Sequence, residues 1–219
     1  GTGPQDGRYP YENPEKAFQG VFDGGGHTVN KLNVAYTGAT TFTSVGLFGV
    51  NDGTIRNLHV AGTVSATTSC TDKSYVIAGG IVGFNIIAYE DAMNTRPGSG
   101  AIEHCSFTGS VSASCGNDPT GTADAGGICG MAKGDVMCCD NFGAVTTRGY
   151  AYSLTAGICG SAHESLTVGD CDNFAPVTST STYQASVGGI VGLSGRPVVV
   201  SHCRNKGAVR FDGVSVDRR

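Results

Sequence analysis

Charged side chains, proline and long apolar runs are all scarce in this sequence, and each scarcity excludes a class of protein. Only 15% of the 219 residues are charged, and apolar side chains recur throughout, so the chain is not of the disordered type. No apolar run approaches the ~20 residues that a membrane-spanning helix needs. The net charge is −4 without a basic cluster, which argues against a nucleic-acid partner. Only 7 prolines and irregularly spaced glycines exclude collagen.

The sequence also lacks the short motifs that mark common metal and phosphate sites. It contains no CxxC pair, which disfavours a zinc site. It contains no HExxH sequence, so we expect no metallopeptidase centre in it. The glycine run that starts at Gly24 lacks the Lys-Ser/Thr ending of a phosphate-binding loop. We therefore predict neither a metal nor a cofactor.

What the chain does contain is an excess of glycine, 35 residues, distributed by an internal repeat. One phrase occurs five times, at residues 45–49 (VGLFG), 79–83 (GGIVG), 126–130 (GGICG), 156–160 (AGICG) and 188–192 (GGIVG). Each copy is followed by a residue that we call the opener, and a valine lies six positions after every opener. The openers are Leu58, Cys105, Cys139, Cys171 and Cys203, and the valines are Val64, Val111, Val145, Val177 and Val209. Successive openers are 47, 34, 32 and 32 residues apart, and an insertion at about residues 86–100 explains the long first step.

The repeat predicts an all-β fold, a parallel β-helix of about five coils whose repeats are 30–47 residues long. Each repeat holds short β-branched runs separated by glycines, and no stretch has a sustained helical period. One repeat is too small to bury its own apolar face, whereas stacked repeats share a continuous core. Glycine suits the tight corners that every coil requires.

Stacked coils place equivalent side chains in ladders along the axis. We expect the cysteine openers to point inward, because Leu58 takes the same position in the first copy. Two residues after the last three openers lie Asn141, Asn173 and Asn205, on the same face of the strand. Their amides can form a ladder of hydrogen bonds from coil to coil and satisfy buried turn backbone.

Several of these phrases resemble a known family. Residues 45–49 (VGLFG) and 188–192 (GGIVG) look like the GLUG motif, residues 22–29 (FDGGGHTV) resemble the segment that precedes such repeats, and residues 51–58 (NDGTIRNL) resemble its link to the next strand. The resemblance covers about residues 18–211. It implies a β-solenoid repeat region of bacterial surface or secreted proteins, either adhesin-like or accompanying the separate catalytic domain of immunoglobulin A peptidases. It implies no catalytic activity for the repeats themselves.

The nine cysteines have two interpretations. Those at the openers, Cys105, Cys139, Cys171 and Cys203, are expected to be small buried apolar side chains. Cys70 and Cys115 follow the repeated valines in matching loops of neighbouring repeats, and they are the best candidates for a disulfide.

A column of carboxylates is compatible with an enzymatic function, because β-helices also host polysaccharide lyases and hydrolases. Asp140, Asp172 and Arg204 each follow an opener, and two carboxylates at coil spacing could act as a pair. The alternative is an outward polar column without catalytic use. The residues before the openers include His104 and His202, which are three coils apart and too distant to share a metal ion.

Two surfaces remain as binding candidates. The inserted loop at residues 86–100 carries Tyr89, Asp91, Asn94 and Arg96, which offer contact chemistry on a segment type that often carries function. Columns of Ser and Thr after the repeated valines, beginning with Ser65 and Ser112, also allow an ice-binding face, although Arg148 and Arg210 interrupt them.

The favoured prediction is a non-catalytic, extracellular β-solenoid module of a bacterial surface protein, which acts as an adhesin-like binding surface or a rigid spacer. The alternatives are a polysaccharide-processing enzyme or carbohydrate-binding module on a β-helix, and a filament-forming or ice-binding solenoid. We expect a lead-in at residues 1–21 and one elongated repeat domain at 22–219, a piece of a larger protein. The expected partners are a host or microbial surface glycan or protein, the rest of a longer chain, or a second copy stacked on exposed end coils.

Overall fold

The computed structural model describes residues 17–86, 100–116 and 118–213, and within these ranges every regular element is a β-strand. The strands, numbered in chain order, are β1 (Val21–Asp23), β2 (Thr28–Gly38), β3 (Phe42–Val45), β4 (Phe48–Asn51), β5 (Thr54–Thr68), β6 (Tyr75–Gly79), β7 (Val82–Asn85), β8 (Ala101–Ser114), β9 (Thr122–Gly126), β10 (Cys129–Ala132), β11 (Val136–Met137), β12 (Asp140–Asn141), β13 (Ala144–Gly149), β14 (Tyr152–Ala156), β15 (Cys159–Ala162), β16 (Leu166–Gly169), β17 (Asp172–Asn173), β18 (Val177–Ser181), β19 (Gln184–Gly188), β20 (Val191–Ser194), β21 (Val198–Ser201), β22 (Arg204–Asn205) and β23 (Val209–Phe211). None of the described residues forms a helix long and apolar enough to cross a membrane.

The strands form three parallel sheets, and the chain visits them in a fixed cycle. A 13-stranded long sheet holds β1, β2, β5, β8, β11–β13, β16–β18 and β21–β23. The second sheet is β3-β6-β9-β14-β19, and the third is β4-β7-β10-β15-β20. Because each strand pairs in parallel with its equivalent one coil away, the fold is the predicted β-solenoid.

The solenoid has about six turns, one more than the five copies of the repeated phrase. The additional rung comes from β1 and β2, which pair with β5. Residues 22–29 therefore belong to the stack itself, although they lack the repeated phrase. Counting phrases underestimates the turns because the first coil contributes only its long-sheet strands.

The repeated valines form one continuous ladder in the core. Val64 pairs with Val111, Val111 with Val145, and Val145 with Val177, and all four side chains are buried. Ladders of β-branched side chains pack well on a pleated surface, so this column holds the long sheet in register.

The glycine phrase forms the corner between the second and third sheets. The isoleucine of each of its central copies is fully buried, and the corner backbones bond from coil to coil, as from Ile128 N–H to the Ile158 carbonyl. A Cβ on Gly127 would collide with the Asn141 amide, and one on Gly157 would collide with that of Asn173. Glycine is therefore needed here because the asparagine ladder packs directly against the corner.

The last coil leaves one side of the stack open. Among the described residues its strands pair only with the preceding coil, and it carries the exposed apolar side chains Val199 (59% exposed) and Phe211 (53% exposed). Unpaired edges of this kind are templates for further strands.

Candidate functional site

The residue before each opener forms a sharp backbone corner. Asn57, His104, Cys138, Asp170 and His202 all adopt left-handed conformations with φ between 50° and 54°. This conformation costs a non-glycine residue about 1 kcal/mol or more. His104 and His202, which the sequence analysis weighed as metal ligands, are therefore corner residues. The His202 Nδ1 atom lies 3.8 Å from Asp170 Oδ1, and both side chains are exposed. Within the described ranges, no three His, Cys, Asp or Glu side chains are grouped to hold a metal.

The cysteine openers satisfy carbonyls at this corner. The thiol of Cys139 lies 3.1 Å from the Met137 carbonyl and 3.7 Å from that of Ile102 in the preceding coil. Cys105, Cys171 and Cys203 repeat this arrangement. Burial raises the pKa of the Cys139 thiol well above its usual value, which keeps it a donor. Cysteine thus serves as a small core side chain with one weak donor.

Asn141, Asn173 and Asn205 stack as a hydrogen-bonded ladder. Asn141 donates to Asn173 over 2.8 Å, and Asn173 donates to Asn205 over 2.7 Å. Each amide also bonds its own turn, as between Asn173 and the backbone N–H and carbonyl of Ala175. A second pair, Asn51 and Asn85, does the same at the end of the third sheet. The sequence analysis missed this pair, although both residues lie five positions after the second residue of the repeated phrase.

The carboxylate column is present, but an arginine holds one of its members. Asp140 pairs in register with Asp172, and Asp172 with Arg204. Arg204 binds both Asp172 oxygens, at 3.0 and 2.6 Å. These bonds lower the pKa of Asp172, whereas burial and the charge of Asp172 raise the pKa of Asp140. Asp172 is buried and fully occupied, so its carboxylate is not free to attack a substrate.

Beside this column, Phe142 and Phe174 stack face to face. Their ring centroids are 4.7 Å apart with an interplanar angle of 8°, and Lys206 lies over the Phe174 ring at 4.5 Å. Both faces of the Phe174 ring are therefore covered, one by Phe142 and the other by the ammonium group, and the stack links neighbouring coils.

Cys70 and Cys115 do not form the expected disulfide; both are free thiols. Thr67 pairs with Ser114, which brings Cys115 level with Thr68 and two positions short of Cys70. Cys115 is buried at the strand end, whereas the thiol of Cys70 turns to the Asp72 carbonyl at 3.3 Å. The valine-to-cysteine spacing differs by two residues between the copies, and that difference separates the side chains.

The loop residues proposed for binding, Tyr89, Asp91, Asn94 and Arg96, lie outside the described residues.

One buried acid escaped the sequence analysis. Asp124 of β9 is fully buried between the second and third sheets. Ser161 donates to its Oδ2, the Tyr75 hydroxyl lies 3.5 Å away, and Oδ1 has no partner among the described residues. Burial raises the pKa of this carboxyl well above its usual value. Glycine at position 160 makes room for it, since a Cβ there would collide with Oδ1.

The same cluster contains a serine and a histidine. His163 Nε2 is 3.1 Å from Ser161 Oγ, and burial followed by the charge of Lys133 lowers the pKa of His163. A nucleophilic serine needs an orienting acid behind the histidine and access to substrate. Here Asp124 binds the serine instead, and Ser161 is fully buried. The cluster is therefore a packed polar network beneath the surface.

A cleft of about 420 Å³ opens at the end of the long sheet, and it is lined by Thr68, Ser69, Cys70, Thr71, Ser114, Gly116 and Arg148. It spans three coils, because Arg148 pairs with Ser114 and Ser114 with Thr67. The sequence analysis noted Arg148 only as an interruption of the hydroxyl columns; the repeat offset places it level with Ser114, but the offset does not show that a cleft forms there.

Exposed tyrosines continue from this cleft along the surface. Arg148, Tyr150 and Tyr152 are exposed and alternate with the buried Gly149, Ala151 and Ser153 across the bend that joins β13 to β14. Tyr150 is 43% exposed, Tyr152 40% and Tyr183 58%, and the rings of Tyr152 and Tyr183 meet edge to face at 6.1 Å. We call Arg148, Tyr150, Tyr152 and Tyr183 the tyrosine corner.

No protein-family model and no curated protein matches the chain. Its fold matches the crystal structure of a putative immunoglobulin A1 protease from Bacteroides ovatus, with a TM-score of 0.65 and 22% sequence identity. The match covers 88% of this chain and 52% of that chain, so the present chain spans about half the length of the matched protein. At this identity the likeness establishes a shared β-solenoid fold.

Proposed function

We propose that the chain is a non-catalytic, extracellular β-solenoid module of a bacterial surface or secreted protein, and that its tyrosine corner binds a surface glycan or protein. The observation that carries the proposal is the contrast between this corner and the rest of the coil. Arg56, Arg204 and Arg210 each hold a carboxylate, whereas Arg148 holds none among the described residues and, unlike Arg196, lines a cleft beside exposed tyrosines. Tyrosine and arginine are the side chains most enriched at binding hot spots.

The resemblance of the repeats to the GLUG family supports the proposal that this module is part of a larger protein. The GLUG-like phrases resemble the repeats that accompany a separate catalytic domain in immunoglobulin A peptidases, and the Bacteroides ovatus protein with the same fold is described as a putative immunoglobulin A1 protease. We infer that the present chain is the accompanying module of such an architecture, with the stacked coils as a stiff support.

A polysaccharide-processing enzyme is the second candidate, because the pKa values of Asp140 and Asp172 are shifted in opposite directions, as in many acid–base pairs. The salt bridge to Arg204 weighs against it. If the pair were catalytic, the purified chain would cleave acidic or neutral polysaccharides, and Asp140→Asn would abolish the cleavage.

The remaining alternatives receive less support. An ice-binding face needs flat, uninterrupted hydroxyl columns, but Arg210 pairs with Thr178 and Arg148 lies between Ser114 and Thr180. Filament formation would use the open last coil, and sedimentation of the chain at increasing concentration would reveal it.

Binding of the full 219-residue chain to arrays of surface glycans and proteins tests the proposal. We expect at least one class of bound target, with the signal lost in a Tyr152→Ala, Tyr183→Ala double variant that keeps the wild-type unfolding midpoint. A folded chain that binds no target on either array would contradict the binding role and leave only the spacer function.

A further inference from the structure

The cleft beside the tyrosine corner is an open depression that is large enough to hold a small ligand. Its volume of about 420 Å³ falls in the range typical of ligand pockets, roughly 300–1,000 Å³. Three coils contribute to it, so stacking alone brings the lining together. Its position next to the exposed Tyr150 means that a ligand chain could leave the cleft across the tyrosine corner.

Arg148 gives the cleft a positive charge that the described part of the protein does not neutralise. Among the described residues, its guanidinium has no ion pair and no side-chain hydrogen bond. The nearby Asp118 does not take this role, because its carboxylate accepts bonds from the Ser74 N–H at 2.6 Å and from Thr120. An unpaired guanidinium presents a planar fork of donors that matches a carboxylate.

The remaining lining suits a polyol. The Ser114 hydroxyl accepts from the Gly116 N–H at 3.3 Å and keeps its own proton for a ligand. The Ser69 hydroxyl donates to the Gly38 carbonyl at 3.2 Å, which leaves its oxygen as an acceptor. The buried Thr68 hydroxyl is already engaged, since it donates to the Thr40 carbonyl and accepts from the Cys70 N–H. The cleft thus offers serine hydroxyls as donor and acceptor beside one cation.

The tyrosines extend the same recognition outward. The Cys115 N–H donates to the Arg148 carbonyl at 3.2 Å, which places the segment that carries Tyr150 beside the end of β8. Tyrosine combines an apolar ring face with a polar tip, and such a surface suits the C–H face and hydroxyls of a sugar that follows the one in the cleft.

We propose that this cleft binds a carboxylate-bearing sugar, with the carboxylate on Arg148, the sugar hydroxyls on the serine hydroxyls, and the next sugar against Tyr150. The proposal rests on the binding role proposed above and names its ligand class. A nucleic acid fits poorly, because the chain is acidic overall and the cleft offers one cation. A sulfate can also meet both arms of the guanidinium fork, but its oxygens are weaker hydrogen-bond acceptors than those of a carboxylate, so a sulfated sugar should bind less tightly.

Isothermal titration of the full chain with oligosaccharides ending in glucuronate, glucose or glucose 6-sulfate tests this assignment. We expect the oligosaccharide that ends in glucuronate to bind most tightly. Arg148→Gln should weaken its affinity by about tenfold or more, because a charge-assisted hydrogen bond usually contributes that much. Arg148→Lys should restore part of the affinity, and Tyr150→Ala should weaken longer oligosaccharides more than the monosaccharide. Arg196→Gln is the matched control, since this arginine lies in another turn, outside the cleft lining.

The outcomes separate the two proposals. Binding of neutral or sulfated sugars with equal or higher affinity, or an Arg148→Gln variant that binds glucuronate as well as wild type, would overturn the cleft assignment while a binding role stands. Failure of the folded chain to bind any sugar or protein on the arrays would overturn both. Because Arg148 is exposed, the variants should unfold at the wild-type urea midpoint, which confirms that a lost signal is a lost contact.

Discussion

Replacing Asn173 by alanine tests the asparagine ladder, because this side chain is its central member. The amide is fully buried, bonds the backbone N–H and carbonyl of Ala175, and accepts from Asn141. The substitution leaves these three buried groups without their partner. A buried polar group that loses its partner costs about 1 kcal/mol or more, so we expect the free energy of unfolding to fall by about 3 kcal/mol.

Urea unfolding followed by circular dichroism measures this loss. With a urea dependence of roughly 2 kcal/mol per M, the midpoint should fall by about 1.5 M. Asn205→Ala is the matched control, since that asparagine occupies the same position in the last coil but is exposed, and water can replace its bonds. We expect the control to lose less than about 1 kcal/mol. Equal midpoints for the two variants would refute the ladder as a source of stability.

Three further predictions concern the core. Burial raises the pKa of Asp124, so the folded chain retains this proton as the pH rises above the unfolded value of about 3.9. Wild-type stability should therefore decline from pH 4 toward neutrality relative to Asp124→Asn in urea titrations, and parallel pH profiles would contradict this. Gly127→Ala should destabilise the chain by about 2 kcal/mol through overpacking at the corner, whereas Gly49→Ala, with only ordinary contacts nearby, should unfold close to wild type. A thiol reagent should label the half-exposed Cys70 in the folded chain and reach the buried Cys139 only after unfolding; equal labelling rates without denaturant would argue against this core.

Much of the fold follows from the spacing of a few residue types. Val64 and its equivalents recur at a constant offset from the openers, and a constant offset allows only one register between coils. The asparagine ladder follows from the same offset, since Asn141 and Asn173 occupy one position. The first coil was harder to recognise, because residues 21–38 pair with β5 through backbone bonds and share no repeated phrase with the others.

The disulfide prediction failed for a local reason. Cys70 and Cys115 occupy matching loops, but a two-residue difference in spacing moves one past the strand end while the other stays in the core. Sequence similarity between repeats places loops within a coil, whereas the bonding of two thiols depends on atomic positions that the loop length alters.

By itself the sequence determined the stacking rule: parallel coils, inward cysteines and valines, and glycine at each corner, because these depend on periodic positions along one chain. Only the tertiary structure decided which columns border a cleft and which side chains meet across sheets. The repeat offset places Arg148 level with Ser114, but it does not predict the cleft that they line with Thr68, nor that Asp124 meets Ser161 across two sheets. Such contacts arise from the folding of one sheet against another and from the ends of the strands, where the repeat no longer dictates the path of the chain.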